Sequence, residues 1–142
     1  MTSYSDLIKE KRIKEGKFSK KQIDDCLNLA RRDIRTARKL LSDNSDWAFN
    51  IAYNAMLQAA RAFMFSKGFR AIGERQHATT IQFAQITLGE KFDSTFDLME
   101  RMRRKRHKAV YDTAGLISIK EATEAIDVAE SFVSRISEML RD

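Results

Sequence analysis

Apolar residues recur at steps of three and four along most of the chain, the periodicity of amphipathic helices. From Ser19 onward, Ile23, Leu27, Ala30, Ile34, Ala37 and Leu41 form one stripe, and Ser19 with Gln22 supplies a capping-box start. The last part of the chain repeats the pattern. Ile119, Ala122, Ile126, Ala129, Val133, Ile136 and Leu140 share a face, with Ser118 and Glu121 as the box before them. Both segments read as long outer helices. Between them, a helix capped by Asp46 and running from Trp47 to about Lys67 is apolar nearly all round, leaving only Asn50, Asn54, Gln58 and Arg61 as a polar line. Such a helix belongs at the centre of a bundle, and Gly68 stands where it stops. A shorter helix is predicted from His77 to Leu88, and another from about Asp93 to Tyr111, ending before Gly115. Proline is absent, and the five glycines all fall between these segments. The predicted fold is therefore all-α, an up-and-down helical bundle of about five helices. Residues 19–141 form the helical domain, and residues 1–18 read as a basic N-terminal arm or frayed helix.

Composition narrows the classes of function. A chain of 142 residues suits one hydrophobic core, and no stretch approaches the ~18 consecutive apolar residues of a membrane span. A soluble protein with no membrane association is expected. The first ten residues lack the apolar run of a secretory signal, so the cytoplasm is the expected location. Cys26, the single cysteine, reads as a small buried apolar residue. Two histidines without a cysteine pattern do not compose a zinc site, so neither metal nor cofactor is expected. No glycine-rich phosphate loop, paired catalytic carboxylates or nucleophilic triad is present in the sequence.

The formal charge of +6 and pI of about 9.6 permit attraction to polyanions, and the distribution is more informative than the total. From Arg101 to Lys108, six of eight residues are basic and none is acidic. This cluster interrupts an apolar ladder. Phe92, Phe96 and Met99 continue by helical steps to Arg103, Arg106 and Val110, so two arginines stand where core is due. A guanidinium is rarely buried without partners, and these side chains should meet a carboxylate, a wet cleft or an incoming anion. Steps of four align Arg103, His107 and Tyr111 on one ridge, with Arg106 beside it by roughly 60° of helical rotation. One reading is a solvated basic turn favoured by the helix dipole, which suits Arg101, Arg104, Lys105 and Lys108. The other is phosphate recognition by Arg101, Arg103, Arg104 and Arg106, whose planar forks match phosphate oxygens.

Three segments, in this order and spacing, resemble the HEPN domain family: AFNIAYNAMLQAARAFMFSKGF from Ala48 to Phe69, ERQHATTIQFA from Glu74 to Ala84, and RRKRHKAVYD from Arg103 to Asp112. The resemblance spans about residues 19–141 and implies a short helical bundle that dimerises. It implies one of two roles: metal-independent ribonuclease, or companion of a small nucleotidyltransferase in a toxin and antitoxin pair. On this resemblance Arg106 takes the family's arginine place, His107 its polar place, and Tyr111 the place of the catalytic histidine. A register pairing Arg101 with His107 is set aside, because six helical steps put them about 240° apart around the helix. An ordinary tyrosine titrates near 10 and suits proton abstraction poorly, so His107 is the alternative base one turn away.

His77 either reaches the same cleft or simply packs at a helix start. The line of Asn50, Asn54, Gln58 and Arg61 is read as solvent face, dimer seam or cleft wall; as cleft wall, Asn54, Gln58 and Arg61 would join His77. Three functions follow. The first is a homodimeric subunit binding RNA, a nucleotide or a small nucleotidyltransferase partner within a two-gene module. The second is a metal-independent ribonuclease toxin using Arg106 and His107, and the third a structural helical module.

Overall fold

A computed structural model describes residues 3–141, and among these are six α-helices and one small sheet. The first helix, α1 (Tyr4–Lys9), leads into strand β1 (Ile13–Glu15). Helix α2 (Lys20–Leu40) begins as its cap predicts: Gln22 N donates to Ser19 Oγ, and Ser19 N donates to the Gln22 side chain. Its stripe residues Leu27, Ala30, Ile34 and Ala37 are buried, and so is Cys26. Helix α6 (Ile119–Met139) buries Ala122, Ile126, Ala129, Val133 and Ile136 as the periodicity requires. Ile119 is the exception in that stripe. It occupies the first turn and remains exposed.

Helix α3 (Ser45–Ser66) is the central element, packing against α2, α6, α4 (Gln76–Leu88) and α5 (Asp93–His107). Its alanines, Ala48, Ala52, Ala55, Ala59, Ala60 and Ala62, let those neighbours approach closely, and all six are buried. Asp46 does not cap this helix. Asn44 accepts from Trp47 N instead, while Asp46 is buried and accepts from Gly115 N at 2.6 Å and Ile117 N at 2.9 Å. An in-helix carboxylate thus ties the start of α3 to the loop before α6. Gly68, at φ +83°, reverses the chain after α3 in a conformation that a side chain would strain.

Of the arm expected over residues 1–18, residues 1 and 2 lie outside the described ones, and residues 3–18 are packed onto the bundle. Ser3 closes a capping box on α1, and Leu7 and Ile13 are buried. Strand β1 pairs antiparallel with β2 (Phe69–Ala71), with Lys14 opposite Arg70. Arg12 donates from Nε to Thr79 Oγ1 at 3.0 Å and also hydrogen-bonds Gln82, while Tyr4 sits edge-on to Phe69. Three-residue strands are too short to leave a period in the sequence, so this strap was not legible.

After a 3₁₀ turn (Glu90–Phe92), α5 ends in one widened π turn, Lys108–Asp112, rather than continuing as α-helix to Tyr111. Phe92, Phe96 and Met99 are buried as the ladder requires, and Phe92 and Phe96 pack on Phe132 of α6. The buried ridge then passes to Met102 and Ala109, leaving Arg103 and Arg106 half-buried; the Val110 side chain lies outside the described structure. No helix of the described residues is long and apolar enough to cross a membrane.

Candidate nucleic-acid interface

Arg106 is held from below. Its Nη1 donates to Asn50 Oδ1 at 3.0 Å, and its guanidinium carbon lies 4.8 Å from the centre of the Tyr53 ring. A partly buried cation over an aromatic face gains about 1–2 kcal/mol, which helps offset the loss of water around its Nε, buried without a partner among the described residues. Tyr53 is fully enclosed, and burial pushes its phenol up to about 12, with Arg106 and Arg103 opposing that rise. The ring therefore stays neutral throughout the usual pH range.

Above this support lies a cleft of about 720 Å³ between α5 and the start of α4. Its wall includes Arg75, Arg103, Arg104, Arg106, His77 and His107, and no carboxylate lines it. Arg75 precedes α4 in the left-handed conformation, φ 60°, and that helix start has no side-chain cap, so its amides add positive potential to the cleft. Arg103 is the least free of the four arginines: it clasps Glu100 through Nε at 3.2 Å and Nη2 at 2.6 Å, which holds the Glu100 carboxyl below its ordinary value. At about two-fifths exposure on both sides, this pair contributes little to stability but sets the direction of the guanidinium.

The other sequence-predicted residues fall in three places. Tyr111 is 74% exposed on the widened turn, stacked obliquely on His107 at 5.1 Å between ring centres, and does not line the cleft. Arg101 faces a separate basic surface with Lys105 and Lys108; Arg104 borders both surfaces, and Lys105 pairs with Glu121 at 2.8 Å. Asn54, Gln58, Arg61 and His77 share a second, smaller cleft adjoining the first. Asn50 leaves the predicted polar line to become the Arg106 support. Arg75 was not singled out in the sequence. The available signal was Gly73 two residues ahead of it, marking a sharp turn into a helix. The Glu100 clasp was legible as an i, i+3 pair. Among the described residues no three His, Cys, Asp or Glu side chains converge.

His77 stands where the two clefts meet, and its pKa lies below the ordinary 6.5, first through desolvation and then through Arg106 and Arg61. An anion in the large cleft offsets Arg106 and itself favours the protonated imidazole, and so raises the His77 pKa. The bound state then holds a proton more readily than the free state, so affinity for a polyanion is expected to increase as pH falls through the range in which His77 titrates. Calorimetry in buffers of different ionisation enthalpy should show proton uptake on binding, reduced in His77→Asn; proton release would contradict the assignment.

The molecule is an all-helical bundle with an arginine-lined cleft between α4 and α5. The family model described as HEPN domain matches residues 23–139, and the chain belongs to that family. Membership supports a function connected with nucleotides or RNA. Neither the comparison with curated proteins nor that with solved structures gave a match.

Proposed function

We propose that this chain is a HEPN subunit that binds the phosphates of RNA or a nucleotide in the cleft between α4 and α5. The observation that carries the reading is the convergence of Arg75, Arg103, Arg104 and Arg106 in one cleft without a carboxylate in its wall. Arginine forks on fixed backbones hold phosphate oxygens in paired hydrogen bonds, and binding releases counterions from the polyanion. The test is binding of a short single-stranded RNA across a salt series. With three or four phosphates engaged, log affinity should fall against log salt with a slope of about −2 to −3. A flat dependence would remove the proposal. The reading includes the homodimer and the small nucleotidyltransferase partner that family resemblance implies; sedimentation and co-expression with the neighbouring gene product test these separately.

A second reading, the metal-independent ribonuclease, is favoured by His77 and His107 lining the same cleft. Cleavage by the 2′-hydroxyl forms a new O–P bond, breaks the P–O5′ bond and yields a cyclic phosphate. It needs one group to take the 2′ proton and another to give a proton to O5′. Exposed Tyr111 is poorly placed for either task, and two imidazoles suit both. RNA cut in the presence of a chelator by the wild type, and intact with Arg106→Ala, would select this reading.

A further inference from the structure

The smaller cleft, about 270 Å³, shares Gln76 and His77 with the arginine cleft, so the two adjoin at the start of α4. Its chemistry is different. Leu57 and Met64 give it an apolar floor, and Phe65 forms one wall, held parallel to Phe18 at 4.2 Å between ring centres. Arg61 lies over the same Phe65 ring at 5.3 Å and donates from Nη1 to Gln58 Oε1 at 3.0 Å.

That bond fixes the Gln58 amide. Arginine can only donate, so Gln58 must present its oxygen to Arg61 and its amide nitrogen elsewhere. Asn54 is fixed in the opposite sense. It donates from Nδ2 to the buried Asp33 carboxylate at 2.7 Å, and an ionised carboxylate can only accept, so Asn54 Oδ1 is the free atom. Neither free atom has a partner among the described residues. Four residues apart on α3, the two side chains lie on one helical face. The cleft thus presents one oriented acceptor, one oriented donor, an apolar floor and an aromatic–guanidinium wall.

We propose that this cleft is a nucleobase site, receiving the base of a nucleotide whose phosphate lies in the arginine cleft. A base is a flat, uncharged ring with a donor and acceptor edge, and single-stranded nucleic acids are gripped by stacking such rings on aromatic or guanidinium planes. The volume is close to the ~300 Å³ at which ligand pockets begin, which suits one ring system. The proposal rests on the phosphate-binding reading of the larger cleft.

Two probes separate the sites: a five-nucleotide single-stranded RNA, and the same ribose-phosphate chain with hydrogen in place of every base. The wild type should bind the base-bearing chain about tenfold more tightly or better. Gln58→Leu, which keeps the bulk and removes the donor, should shrink that preference; binding of the base-free chain reports that the variant is folded. Equal wild-type affinity for the two probes overturns the base site and leaves the arginine cleft standing. An undiminished preference in Gln58→Leu places base recognition elsewhere and also overturns it. If neither probe binds, both readings fall together.

Discussion

Arg106→Ala is expected to weaken binding of short single-stranded RNA by roughly ten- to a hundredfold. A charge-assisted hydrogen bond is worth about 1.5–3 kcal/mol, and each 1.4 kcal/mol is about tenfold. The slope of log affinity against log salt should become shallower by about 0.7 for each phosphate that is no longer neutralised. The reason lies beneath the side chain: Asn50 and the Tyr53 ring hold this guanidinium in place before any ligand arrives, so little ordering remains to be done on binding. Arg106→Lys restores the charge without the fork or the fit to Asn50, and should recover affinity only in part. Fluorescence anisotropy with a labelled oligonucleotide would check all three values. Unchanged affinity in Arg106→Ala would leave the cleft without its anchor.

The largest loss of stability from a single polar side chain is expected at Asp46. Its two oxygens accept from Gly115 N and Ile117 N, and in Asp46→Ala those donors lose their partners inside or beside the core, at a cost of roughly 2–4 kcal/mol. Asn44→Ala, which removes the true cap of α3, should cost only about 1 kcal/mol. Urea unfolding compares the two: the midpoint should shift in both and much further in Asp46→Ala, with the denaturant slope unchanged. If the two variants were equally destabilised, Asp46 would be acting as an ordinary helix-start residue.

Periodicity made the helical part of this molecule legible because long helices repeat their constraint many times. The stripe from Leu27 to Ala37, and that from Ala122 to Ile136, each place several side chains against α3, and any other phase would expose them. The break in the α5 ladder at Arg103 and Arg106 was legible for the same reason, since two charges on a buried face violate a pattern already established. What supports them was not. Asn50 and Arg106 are 56 residues apart, and no local rule pairs them. Asp46 departs from the expected cap because Asx residues cap helices by a local bond, whereas here the partners lie about 70 residues downstream. Tyr111 falls outside the cleft because the widened turn after His107 changes the angular step on which the ridge was built. Arg75 carried no pattern, since a single residue at a left-handed joint repeats nothing.

The strap formed by α1 and β1 governs how the shared part of the chain can be handled. The family match begins at residue 23, so a protein trimmed to it keeps every arginine of α5 but discards the pairing under β2 and the bond from Ile72 N to Arg12 O. Gly73 and Arg75 follow directly from that anchorage. A shortened chain can therefore fold as a bundle while the α4 lip drifts, and its weak grip on RNA would report missing bracing rather than a missing ligand site. For the same reason, a purification tag belongs at the other end.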